Sequence, residues 1–211
     1  MAHDHDDHDD RDDRDDRDDH DASPAMDHEA VLEAIQGAIA RGQKVQLVRA
    51  GLPQEGWSGF PLVLGDSLVL LRSLRDFAFD GFSLVRLADV TEVRSGDVER
   101  FYERVIRAEG LDRDLAPPRP VLLRSMRTAL ESIRAHYRHV IVTCEGVDDE
   151  SFFLGDIARV DEESVHLHYI HVDGTRERDA TRVPLEDITL VRFDEAYLRY
   201  YGRYAVAEDQ H

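Results

Sequence analysis

The chain lacks most of what a secreted protein or a conventional enzyme displays. Its 211 residues include one cysteine, Cys144, so there is no second thiol for an intrachain disulfide and a disulfide-stapled secreted fold is excluded. No segment approaches the ~18 apolar residues of a membrane span, and the N-terminus has no apolar signal-peptide core. Both absences point to a cytoplasmic protein without membrane contact. No Gly-rich phosphate loop, nucleophile elbow or His-Glu-x-x-His is found. No catalytic residue, no cofactor and no enzymatic activity are therefore expected. Basic charge is scarce as well, with 26 Lys plus Arg against 45 Asp plus Glu, a formal net charge of −19. Such a field repels nucleic acid and anionic membrane unless a local basic stripe overrides it.

What is present divides the chain unevenly. Residues 1–26 open with Asp-Asp-Arg recurring at Arg11, Arg14 and Arg17, and residues 1–21 hold twelve Asp against three Arg. A stretch this polar cannot offset the entropy of ordering and reads as a disordered tail. Its His3, His5, His8 and His20 offer loose metal capture, against the plainer reading of a solubilising polyampholyte. From Asp27 helical periodicity begins with Val31, Leu32, Ile35 and Ile39, and Gly42 stands at the expected stop. Short strands follow over 45–48, 57–64, 68–74 and 82–85, with turns at Gly65-Asp66-Ser67 and Asp80-Gly81 and a brief strand at Val90–Val93. A helix from Asp97 to Gly110 completes a first unit, 27–110. Residues 111–120, LDRDLAPPRP, read as a linker because their prolines suit neither helix interior nor sheet.

The same order returns in 121–204. Leu122, Met126, Leu130, Ile133 and Tyr137 mark a second helix, strands follow over 140–144, 152–160, 165–170, 181–185 and 188–193, and a terminal helix spans 194–204. Residues 205–211 read as a disordered end. An offset of 96 matches Gly59 to Gly155, Val69 to Val165 and Leu71 to Leu167. An offset of 98 matches Leu87 to Leu185, Asp89 to Asp187 and Thr91 to Thr189. The change of offset places a two-residue difference in the tip between the third and fourth strands, where length changes are tolerated. Agreement in order and residue type indicates duplication.

Each unit reads as an amphipathic helix followed by five short strands in meander order, and closure of so small a sheet would remove its edges. The expected fold is α+β, with two tandem five-stranded antiparallel β-barrels that resemble the Sm-like and SH3-like class. The segments Leu87-Ala88-Asp89-Val90 and Leu185-Glu186-Asp187-Ile188 also resemble a family of uncharacterised bacterial proteins with a Leu-Glu-Asp-Ile turn, a likeness that carries no activity. In that turn the two apolar residues face the core and the aspartate accepts backbone amides. The RNA-binding motifs of Sm proteins have no counterpart at 63–68, 160–164, 86–89 or 184–187.

Three candidate sites arise. Leu68, Leu70 and Leu74 alternate with Val69 and Leu71, so the third strand is apolar on both faces and must be covered twice, by its own core and by a neighbour. That neighbour is the second unit or another chain. Arg124, Arg127, Arg134 and Arg138 fall on one arc of a helix starting near Val121, a possible phosphate contact, although Glu131 lies within the stripe and can pair with its arginines. His166, His168 and His171 form a candidate zinc group, set against the reading of outward strand positions. Cys144 reads as a small buried hydrophobe. The function expected is that of a non-enzymatic interaction or scaffold protein that binds a protein partner, or itself, through its barrel edges. The alternative is low-specificity RNA or nucleotide binding through the arginine helix.

Overall fold

The computed structural model describes residues 25–54, 56–115, 119–146 and 151–208. Most of the expected tail and its histidines, the prolines at 117 and 118, and the last three residues lie outside these.

Helix α1 (His28–Arg41) forms where periodicity and caps agree. The Asp27 carboxylate accepts the Ala30 amide at 2.8 Å, and Gly42 ends the helix in the left-handed region at φ 60°. Strands β1 (Val45–Val48), β2 (Gly56–Leu64), β3 (Leu68–Arg75), β4 (Ala78–Arg86) and β5 (Glu92–Arg94) follow, then α2 (Asp97–Ala108). The second half contains α3 (Met126–His136), β6 (His139–Cys144), β7 (Ser151–Val160), β8 (Ser164–Ile170), β9 (Thr175–Pro184), β10 (Leu190–Phe193), α4 (Ala196–Tyr204) and β11 (Val206–Ala207). Both Leu-x-Asp segments form short 3-10 turns, Leu87–Asp89 and Leu185–Asp187. The Asp89 carboxylate accepts from the Arg86 guanidinium at 2.8 Å rather than from backbone amides.

The two expected barrels do not form. All eleven strands make one open sheet in the order β11-β9-β8-β7-β6-β10-β4-β3-β2-β1-β5. Closing two barrels would require β10 to reach β9 and β5 to reach β4. Instead β10 lies between β6 and β4, with Leu190 opposite Val85 on one side and Thr143 on the other. The edges explain the choice. β4 and β10 carry Phe82, Leu84, Val85, Leu190, Val191 and Phe193, so pairing them hides two apolar edges at once. The halves nevertheless share strand order, 5-1-2-3-4 against 10-6-7-8-9. Gly59 faces Ser73 and Gly155 faces Tyr169, and the register shifts after Pro61 and after Ile157, at matching places.

Three apolar clusters divide the faces of the sheet. On one face α1 covers Val45, Leu47, Val69, Leu71, Val85 and Leu190. On the opposite face α3 covers Val140, Val142, Leu167, Val191 and Phe193, and the same cluster extends over Leu68, Leu70, Phe82 and Leu84 of the first half. Returning to the α1 face, α4 covers Ile141, Leu154 and Ile170 through Leu198. The central strands are thus enclosed on both sides, which accounts for the doubly apolar β3.

Other local expectations also need correction. Asp80-Gly81 is not a turn but a bulge inside β4, where Arg72 faces Phe82 and Leu74 faces Phe79. The reversal occurs at Asp76-Phe77, with Asp76 at φ 53°. Gly81 has φ 71°, and a Cβ there would stand 2.5 Å from the Phe193 carbonyl oxygen, so two constraints favour glycine. Gly65 admits the second half in the same way, since a Cβ would meet the Leu123 carbonyl oxygen at 2.3 Å. The helix placed from Val121 begins five residues later, capped by the Ser125 hydroxyl, which accepts the Thr128 amide at 3.2 Å. In the expected disordered tails, Met26 packs against the α1 cluster and Val206–Ala207 pair with β9. Within the expected linker, Asp112–Leu115 form a 3-10 turn.

Candidate functional site

The residues singled out from the sequence are dispersed. Leu68 and Leu70 are 1% and 2% exposed in the cluster beneath α3, so the neighbour that covers them is the second half of the same chain. Leu74 is half-buried. Of the four arginines, only Arg127 and Arg134 lie on α3; Arg124 precedes it and Arg138 follows it. Arg127 pairs with Glu131 at 3.1 Å, and Arg138 stands 3.8 Å from Asp156. The histidines diverge: His166 Nε2 meets Asp161 at 2.9 Å, His171 Nε2 meets Glu177 at 3.1 Å, and His168 lines a separate hollow of about 290 Å³ with Arg176 and Arg178. Among the described residues no group of three or more potential ligands could hold a metal. Cys144 is buried, and burial pushes its thiol up to about 11, which leaves it unreactive at neutral pH.

The geometry instead draws attention to a cleft that sequence spacing did not reveal. It lies on the α1 face, over the junction of the two halves, between the cover of α1 and that of α4. Two adjoining hollows of about 260 and 250 Å³ share Gln54 and Arg192 as lining residues. Trp57 of β2, Ser73 of β3 and Asp80 of β4 line one of them, and Thr143 of β6 and Phe152 of β7 the other. In the adjoining strands Ser73 and Ser83 share a buried hydroxyl contact at 2.6 Å.

Arg192 is central to this cleft. β10 reads Leu-Val-Arg-Phe, and Val191 and Phe193 take the α3 side, so Leu190 and Arg192 point to the other face. The guanidinium lies 5.8 Å from the Trp57 ring and 5.9 Å from the Phe152 ring, near the outer limit of cation–π attraction. Its Nε is 3.7 Å from the Glu195 carboxylate, an ion pair too long to be a hydrogen bond. The Arg192 guanidinium donates no hydrogen bond to any described residue, and its buried Nε has no partner among them. The indole Nε1 of Trp57 is likewise buried without a partner among the described residues. Glu195 is 5% exposed; burial raises its carboxyl above the usual range and Asp80 adds to the rise, while Arg192 opposes it.

A fixed wall stands behind the cleft. Arg49 is fully buried and forks onto Glu145 at 2.6 and 2.9 Å, joining the end of β1 to the end of β6. Its Nη2 also donates to the Gln54 carbonyl, which holds the β1–β2 loop at the rim. Glu145 accepts the Thr189 hydroxyl at 2.6 Å. Thr189 receives the Glu145 amide at 3.4 Å, as Thr91 receives the Ala50 amide at 3.4 Å in the first half. Asp80 of β4 accepts the Ala196 amide at 2.6 Å and so caps α4 across the junction.

Comparison with protein-family models, with curated proteins and with solved structures finds no match to this chain. No helix is long and apolar enough to cross a membrane among the described residues.

Proposed function

We propose that this protein is a non-enzymatic, cytoplasmic interaction protein whose recognition site is the cleft between its two halves. The observation that carries this reading is Arg192, a guanidinium set between two aromatic rings with its hydrogen-bonding capacity unused within the described residues. Arginine and large aromatics at a rigid concave junction are the residues that anchor partners. The sheet edges serve this purpose less well. β5 is three residues long with Glu92 and Arg94; at the other edge the two-residue β11 covers only Thr175 and Arg176 of β9, and the rest of β9 is interrupted between its pairings at Arg176 and Ala180 and carries Arg178, Asp179 and Arg182. Short, charged and bulged edges discourage strand addition.

The two halves are, in the same proposal, copies of one ancestral unit, supported by their matched strand order, register shifts and Thr91/Thr189 contacts. Fusion through β4 and β10 then created a site that neither copy holds alone. The likeness of the Leu-Glu-Asp-Ile segment to uncharacterised bacterial proteins belongs to this proposal too.

The test is affinity capture with mass spectrometry, using the intact chain beside Phe152→Ala and, as a surface control, Arg127→Ala. A protein partner kept by the control and lost from Phe152→Ala supports the reading. Equal capture by all three, or capture of nucleic acid that depends on Arg127, contradicts it.

A further inference from the structure

We propose that Arg192 is the anchor for an oxyanion, a carboxylate or phosphate group on whatever ligand enters the cleft, with the Trp57 indole as a second donor. This rests on the cleft being the recognition site and adds the chemistry that it recognises. The chemistry of the guanidinium and two observations at the site support it. A guanidinium presents five donors in a planar fork that matches carboxylate and phosphate oxygens two at a time. Arg192 gives none of them to the described residues, although its side chain is only 24% exposed. Buried donors without partners are uncommon in folded proteins because each is costly, yet this region holds three: Arg192 Nε, Trp57 Nε1 and, in the wall behind, Arg49 Nε. Among the described residues the one buried acceptor of the cleft without a hydrogen bond is the Glu195 carboxylate, which stands 3.7 Å from Arg192. The unpaired donors outnumber that single acceptor, and an oxyanion supplies the acceptors they lack.

Glu195 is the acid paired with Arg192 among the described residues, and the other charged lining groups described have partners of their own. Asp80 caps Ala196 and stands 3.6 Å from Arg75, and Glu145 is held by Arg49 and Thr189. Glu195 makes no hydrogen bond to Arg192, and burial disfavours its charged form. An anion bound at Arg192 replaces it as counter-ion, so Glu195 takes up a proton as the ligand binds. Binding therefore tightens as the pH falls through the raised value of Glu195. The two adjoining hollows, about 260 and 250 Å³, each fall below the ~300 Å³ at which ligand pockets begin, and Arg192 stands where they meet. Each part of the site suits a terminal group, such as the end of a peptide or a phosphorylated side chain.

Trp57 is the only tryptophan in the chain, so its indole N–H gives one unambiguous resonance at the site. The experiment titrates the 15N-labelled full chain with inorganic phosphate, acetate or benzoate at constant ionic strength, with chloride as control. A saturable shift of the indole signal with one of the three, absent with chloride, is expected. It should weaken by about tenfold or more in Arg192→Gln and by less in Arg192→Lys, which keeps the charge but loses the fork. Preference for phosphate assigns a phospho-group, and preference for acetate or benzoate assigns a carboxylate. The absence of a saturable shift with any of them, or an undiminished one in Arg192→Gln, overturns the proposal. Should Arg192→Gln fail to fold, Glu195→Gln decides: removing the competing acid must tighten binding at neutral pH, and unchanged or weaker binding contradicts the assignment. A partner lost from Phe152→Ala but insensitive to Arg192 would refute the oxyanion and leave the cleft as the recognition site.

Discussion

At the scale of single residues, burial decides what each charge contributes. Arg49 and Glu145 are enclosed together, and removing one leaves the other buried without a partner. Glu145→Gln is expected to cost about 3–5 kcal/mol in chemical denaturation, in the range of broken buried pairs. Asp156 behaves as a depressed acid. Burial pushes its carboxyl up, but His139, Arg176 and Arg138 overcome that and hold it below the usual range. Its contribution is therefore full above the unfolded carboxylate range and is lost as the pH falls through the depressed value. Asp156→Asn should destabilise by roughly 2–4 kcal/mol at neutral pH, and melting curves of mutant and parent should converge in acid. Glu195 runs the other way. Its folded-state value is raised, so its contribution is complete below the unfolded range and fades as the pH rises through the raised value. Glu195→Gln should raise the melting temperature at neutral pH and leave it unchanged in acid.

At the scale of elements, β3 joins the two halves through its side chains. Leu70 points away from its own helix α1 and into the cluster beneath α3, so Leu70→Ala should cost about 2–5 kcal/mol as a core truncation. A loss under about 1 kcal/mol would mean that the cluster beneath α3 does not include it. His166, the matching position in the second half, is 8% exposed and bonded to Asp161, so the two sites are not interchangeable. Elements of this kind were readable from the chain. The run from Val45 to Val48 and the helix from Asp27 to Gly42 follow from periodicity and caps, and the two apolar faces of β3 correctly implied double cover. The closure was not readable, because an apolar strand declares that it needs a neighbour without saying which one. Asp80-Gly81 has the composition of a turn, but its glycine serves a bulge beneath the start of α4. The cleft had no local signature, since Trp57, Phe152 and Arg192 come from strands far apart in the chain. The one signal was an arginine within the apolar run Leu190–Phe193.

At the scale of the whole molecule, the junction of β4 with β10 makes the two halves into one body. The sheet is continuous across it, the cluster beneath α3 spans it, and Arg49–Glu145 and Asp80–Ala196 bridge it. A cleft that takes its walls from both halves requires this union, so the functional proposal depends on the junction being intact. Native-state amide hydrogen exchange on the full chain, with unfolding followed by calorimetry, tests it most directly. The account predicts that the amides of Phe82–Val85 and Leu190–Phe193 that donate across the junction exchange only through global unfolding, alongside those of β3 and β8, in a single cooperative transition. Two separate transitions, or junction amides that exchange far faster than those of β3 and β8, would contradict it.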